Sequence, residues 1–221
     1  MNLLDVIGPV MIGPSSSHTA GAVRLGLLAI SILGEQPVKA DIALHGSFAR
    51  TYRGHGTDMA LLAGLMGWMP DDARIPEADI YAEQNGIQYN FSTIDLGELT
   101  HPNTVRFQLE GASGKTCTVT GSSVGGGQVR VTEIDDFPVE LNGALPGVLI
   151  VHKDRPGVIA LVSGKLSEYK INIAGMRVFR TNKGGSATMI IECDQTVPEE
   201  AIKALKETKN VESVRFINKV L

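Results

Sequence analysis

Cysteine is scarce in this chain, and the scarcity limits its chemistry. Among 221 residues there are two, Cys117 in TCTVTG and Cys193 in IIECDQ. Neither sits in a CxxC pair or at a Cys/His spacing suited to zinc, so no metal site is expected within the chain. An iron–sulfur cluster ordinarily takes four thiolates, more than two isolated cysteines supply. The plain reading of both is a small apolar side chain buried in a strand. Aromatic residues are equally sparse, at 5% with a single Trp, and scattered. That leaves no stacking platform for single-stranded nucleic acid. An excess of basic charge is missing too: 20 Lys and Arg stand against 24 Asp and Glu, a net charge of −4. A polyanion would find no electrostatic footprint. The longest apolar run, Leu25 to Leu33, is broken by Gly26 and Ser31 and is too short to cross a bilayer. The first residues, MNLLDVIGPV, show no basic region ahead of an apolar core, so no export signal is read. A cytoplasmic protein is expected, with neither nucleic acid nor membrane as partner.

What is present is enough apolar residue, 43% of the chain, to build a core. AGAVRLGLLAISILG places Val23, Leu27 and Ile30 at helical spacing, with Gly34 as the stop. VKADIALHGSF reads as a strand whose polar end carries His45, Gly46 and Ser47. ARTYRGHG reads as a connection, leading to a second helix, TDMALLAGLMGW, with Thr57 or Asp58 as N-cap. IQYNFSTI, NTVRFQLE, KTCTVTG and QVRVTEI then predict an antiparallel meander beside the two helices. The tail has a different rhythm: LPGVLIVH (strand), RPGVIALVSGKLSEY (helix, Pro156 near its first turn), NIAGMRVFRT and SATMIIEC (strands joined by NKGG), VPEEAIKALKE (helix) and VESVRFINKV (strand). That order is βαββαβ, the ferredoxin-like arrangement. With turn chemistry at ELNGALPG, the prediction is an α+β chain of two domains, 1–142 and 147–221.

Three segments carry candidate chemistry. GPSSSHT puts Ser15, Ser16, Ser17, His18 and Thr19 where a helix begins. Unpaired N–H groups and the helix dipole favour an anion there, and the hydroxyls and imidazole add donors. A capping serine with loop decoration explains the same letters, and the segment alone does not decide. HGSFARTYRGHGTD repeats the pattern, with His45, Gly46 and Ser47 at a strand end and His55, Gly56, Thr57 and Asp58 at a helix start. Strand ends and helix starts are where open α/β layers bind ligands. Three of the five histidines fall in these two clusters, which reads as a polar pocket. SSVGGGQ matches neither a dinucleotide fingerprint nor a P-loop and reads as a hairpin turn or bulge. In the tail, Asp154, Pro156 and Gly157 lie between a strand and a helix, where free backbone N–H groups suit a small zwitterion or simply make a turn.

Together, GPSSSHT, HGSF, GHGTD and SVGGG, followed by a βαββαβ tail with DRPGV, closely resemble the β chain of iron–sulfur-dependent bacterial L-serine dehydratase (L-serine ammonia-lyase). The resemblance covers essentially the whole chain. It implies an N-terminal serine dehydratase β domain, similar to the allosteric substrate-binding domain of some phosphoglycerate dehydrogenases, and a C-terminal ACT domain. It further implies a two-chain lyase that converts L-serine to pyruvate and ammonia in gluconeogenesis, with a [4Fe–4S] cluster held by the α chain and no metal in this one. His18 and His55 would then be catalytic at the interface with the α chain. Ser15, Ser16, Ser17, Thr19, His45, Gly46, Ser47, Gly56, Thr57 and Asp58 would bind substrate. Asp154, Pro156, Gly157, Asn172 and Ile173 would bind an amino acid in the ACT domain, and a homodimer is expected through either domain. Two other readings stay open: an amino-acid-sensing ACT regulator without enzymatic activity, and a self-sufficient Ser/His hydrolase. The second lacks a GxSxG elbow.

Overall fold

The computed structural model describes residues 9–180 and 182–221. The chain divides into two compact units, one running to Asn142 and the other covering Gly143–Leu221.

The first unit begins with α1 (Ala20–Leu33), then β1 (Pro37–His45), α2 (Gly46–His55), α3 (Thr57–Leu65) and α4 (Ala78–Gln84). The strands β2 (Gln88–Thr93), β3 (Asn103–Gly111), β4 (Thr116–Gly125), β5 (Gln128–Ile134) and β6 (Phe137–Leu141) follow. They form one sheet in the order β2-β1-β3-β4-β5-β6. Strand alternation decides which face is covered. Ala40, Ile42 and Leu44 of β1 and Val105, Phe107 and Leu109 of β3 are buried, whereas Lys39 and Glu110 point to water. α1 packs against β4, and nearly all its residues are buried, as expected of a helix apolar all round. It ends as predicted at Gly34, whose left-handed φ of 82° returns an N–H to the Ile30 carbonyl.

α1 and α3 meet backbone to backbone. A β-carbon on Gly26 would lie 2.7 Å from the Leu61 carbonyl oxygen, and one on Gly64 would run into the Val23 carbonyl oxygen. The missing side chains of Gly26 and Gly64 are what allow this approach.

Three expectations are corrected here. ARTYRGHG is not a connection but most of α2. Gly46 takes φ +60° against Pro102, and the Ser47 N–H bonds the Pro102 carbonyl at 2.7 Å. The helix is therefore launched by a tertiary contact rather than by a local signal. Neither Thr57 nor Asp58 caps α3: Gly56 is the N-cap at φ 65°, and Thr57 is the first helical residue. Finally, the strands are not all antiparallel, since β2 runs parallel to β1 after a helical crossover. α4 and β6 go unread in the sequence.

The second unit is β7 (Gly147–Lys153), α5 (Val158–Glu168), β8 (Ile173–Arg180), β9 (Ser186–Cys193), α6 (Glu199–Lys206) and β10 (Val211–Ile217), the predicted βαββαβ order. Its sheet, β10-β7-β9-β8, is antiparallel throughout. Val148, Ile150, Met189 and Ile191 meet Val162, Leu166 and Leu205 in its core. α6 carries Glu199 and Glu200 at its start and Lys203 and Lys206 at its end, the order the helix dipole favours.

Candidate functional site

The two histidine-bearing segments meet in space. Ser15 opens a turn just ahead of α1, with its carbonyl accepting from the Thr19 N–H at 2.8 Å and its hydroxyl lying 3.4 Å from the His18 N–H. No serine caps α1, whose N-cap is Thr19 without a side-chain hydrogen bond; the Ser15 contact lies in the turn before the helix. The same Ser15 hydroxyl and that of Ser17 each lie 3.3 Å from His18 Nδ1. On the other side of the ring, Nε2 is 3.2 Å from the Thr51 hydroxyl of α2. Thr51 spends its proton on the Ser47 carbonyl at 2.8 Å, so its oxygen can only accept from His18. This assigns the proton of neutral His18 to Nε2 and leaves the Nδ1 lone pair facing the serine hydroxyls.

His55, at the far end of α2, stands with its ring centroid 4.8 Å from that of His18, and Phe48 contacts the same ring edge-on at 5.3 Å. Phe48, Thr51 and His55 follow one another at helical spacing on one face of α2. His18 is 9% exposed and His55 lies open to solvent. Burial first, and then the neighbouring His55, hold His18 below the usual imidazole range. A neutral imidazole, a solvent-facing imidazole and three hydroxyls can hold a carboxylate or carry a proton. Within the described hydrogen bonds the partners of His18 are hydroxyls and not a carboxylate, so a Ser–His–Asp relay is not assembled there.

Other nominated residues lie elsewhere or serve the backbone. His45 is buried at the end of β1, and its Nδ1 accepts the Leu96 N–H at 3.2 Å, so it fastens the segment after β2. Gly46 and Ser47 are backbone partners of Pro102. Ser16 supplies a carbonyl to the Gly21 N–H, and Thr19 packs, buried, beside Gly13. Gly56 turns the chain from α2 to α3, Thr57 is fully buried with an unpartnered hydroxyl, and the Asp58 carboxylate accepts the Met59 N–H. Burial raises Asp58 above the usual carboxylate range. SSVGGGQ is the β4–β5 hairpin: Gly125, Gly126 and Gly127 all have positive φ, and Arg24 of α1 donates to the Gly127 carbonyl at 2.6 Å.

In the second unit, Asp154 already accepts from Arg180 Nη1 and the Gly184 N–H, each at 2.9 Å, which lowers its pKa. Asn172 is bonded to Gln195 and Asp194. Gly157 caps α5 at φ 89° with open space around it, Pro156 stands exposed just before it, and Ile173 opens β8. Two of the five ACT candidates thus have their polar groups engaged with the protein itself.

Thr51 and Phe48 were missed in the sequence because ARTYRGHG was read as a connection. Seen as a helix, positions 48, 51 and 55 fall on one face, and that periodicity would have found them.

His18 staying neutral has a consequence for stability. The unfolded chain takes up a proton below the ordinary imidazole pKa of about 6.5, while the folded one resists until lower pH. Stability is therefore complete above that value and falls as pH drops below it. Urea midpoints at pH 7.5 and 5.5 should show the loss, and His18→Gln should shrink it. An equal loss in the variant would assign it to other groups.

An α+β unit with a polar His/Ser/Thr cluster at a helix start, followed by a βαββαβ unit, defines the class of protein. Residues 3–134 match the family described as serine dehydratase beta chain, and residues 147–210 match the ACT domain. The chain belongs to the serine dehydratase β-chain family. It is 41% identical to the probable L-serine dehydratase, beta chain, of Bacillus subtilis, over 98% of this chain and 97% of that one. It is 35% identical to the L-serine dehydratase, beta chain, of Peptoniphilus asaccharolyticus, over 96% of each. It is also 30% identical to the D-3-phosphoglycerate dehydrogenase of Methanocaldococcus jannaschii, over 89% of this chain but 37% of that enzyme.

Proposed function

We propose that this chain is the β subunit of an L-serine dehydratase, acting with an α chain to convert L-serine to pyruvate and ammonia. The observation that carries this reading, beyond the near full-length relatives, is the His18–His55 pair with the Ser15, Ser17 and Thr51 hydroxyls around it. In the proposed complex this cluster faces the α chain. The Ser15 and Ser17 hydroxyls, with His55, hold the serine carboxylate. His18, with Nδ1 unprotonated, is suited to receive a proton from a neighbouring group.

The donor set of this chain does not fit a [4Fe–4S] cluster. Cys117 and Cys193 are both buried and lie in separate units. Burial pushes the Cys193 thiol up to about 11, against the thiolate a metal needs. Among the described residues no group of three His, Cys, Asp or Glu is placed to hold a metal ion. A cluster, if the holoenzyme carries one, belongs on the α chain. No described helix is long and apolar enough to cross a membrane.

Anaerobic co-expression with the α chain, followed by assay of pyruvate from L-serine, tests the reading. Activity confined to the co-purified pair is the expected result. An α chain fully active alone, or two chains that never associate, would overturn it. The second reading, an ACT sensor of amino acids, rests on the match over residues 147–210. Calorimetry of the isolated chain with amino acids would then show binding while the α chain's activity stayed unchanged.

A further inference from the structure

A cavity of ≈ 500 Å³ opens beside the β4–β5 hairpin, lined by Leu99, Thr100, His101, Ser122, Arg130 and Thr132 among others. It shares no residue with the His18 cluster. Thr104, Ser122 and Arg130 are directly opposite one another on β3, β4 and β5, so they stand on one face of the sheet. The Arg130 side chain is exposed and, among the described residues, has no hydrogen-bond or ion-pair partner. A charged fork left unpaired at the wall of a cavity differs from its neighbour Arg106, which is already paired to Glu133 at 3.2 Å. It also differs from the smaller depression of ≈ 260 Å³ near Lys39, whose ammonium is neutralised by Asp41 at 3.4 Å.

The remaining polar groups give the cavity a direction. His101 Nδ1 accepts the Asn103 N–H at 3.2 Å, which puts the proton of the neutral ring on Nε2. The hydroxyls are set the other way. Thr104 donates to the His101 carbonyl at 2.6 Å, so Ser122, 2.6 Å from the Thr104 oxygen, donates to it and presents lone pairs outward. Thr100 likewise gives its proton to the Leu96 carbonyl at 2.7 Å. The cavity therefore offers N–H donors from Arg130 and His101, and oxygen acceptors from Ser122 and Thr100. Leu99, fully exposed at the rim, adds an apolar contact.

We propose that this cavity binds a small carboxylate bearing a hydrogen-bond donor on the adjacent carbon, a hydroxy or amino acid, with Arg130 and His101 on the carboxylate and Ser122 accepting from the donor. A phosphate dianion is disfavoured, since several of its oxygens would face acceptor oxygens.

Two probes that differ in one hydroxyl, glycolate and acetate, test this by NMR of the His101 ring in the full-length chain, with inorganic phosphate as a third. Saturable glycolate shifts are expected, with acetate weaker by about fivefold and phosphate weaker still. Arg130→Gln, at an exposed and unpaired position, should keep the fold and weaken glycolate by about tenfold or more. Ser122→Ala should erase the preference for glycolate over acetate without removing the binding of either. Absence of saturable binding, an unchanged affinity in the Arg130 variant, or phosphate binding tightest of the three would overturn the proposal.

Discussion

In the proposed α/β complex, His55→Ala should lower serine turnover by about 10-fold to 100-fold, with little change in the stability of this chain. His55 is exposed and ends its helix, so removing the ring leaves no cavity and no buried group without a partner. In the proposed complex it is the half of the imidazole pair, centroids 4.8 Å apart, that holds the serine carboxylate, and losing a hydrogen bond to a charged group costs about 1.5–3 kcal/mol, roughly 10-fold to 100-fold. His18 needs a gentler change, because it is buried beneath three hydroxyls. Alanine there would take away the ring that the Ser15, Ser17 and Thr51 hydroxyls face, whereas His18→Gln keeps a donor and an acceptor but cannot carry a proton. The split of kcat and KM in the two variants then separates the roles. A rise in KM alone marks a group that holds the carboxylate, and a fall in kcat marks one that moves a proton. Full activity in both variants would remove the cluster from the site.

Gly64→Ala should strongly destabilise the first unit. Alanine is normally the better helix former by about 1 kcal/mol, so an ordinary helical glycine would gain stability from the change. At this position the new methyl would meet the Val23 carbonyl oxygen and come within 2.9 Å of the Gly26 Cα. Both neighbours are backbone, so neither can rotate away, and α1 and α3 must separate. Overpacking of this kind costs about 1–3 kcal/mol and occasionally more, enough to reverse the sign that propensity sets. Thermal unfolding should show a large fall in Tm. Gly54→Ala on the exposed side of α2, where an added β-carbon meets nothing, is the matched control and should be neutral or slightly stabilising. A stabilised Gly64 variant would mean that the two helices are not in backbone contact.

The sequence determined by itself the elements whose causes are local. α1 ends at Gly34 because a left-handed stop needs no distant partner. The SSVGGGQ hairpin follows from three glycines at positive φ, and the βαββαβ order from alternating periodicities. The motif letters were enough to point at both histidine clusters and to place the chain in its family. Only the tertiary structure decided which of those residues act together. α2 starts on the Pro102 carbonyl, 56 residues beyond Gly46 (102 − 46), so no local pattern announced it. With α2 unread, Thr51 and Phe48 were invisible, and His45 was placed with the substrate-binding residues. The tertiary structure turns His45 toward Leu96 and sets His18 between the serines of one segment and the threonine of another. The physical reason is the same in each case: a side chain's protonation and partners depend on groups distant in sequence, whereas a turn or a helix stop is settled within a few residues.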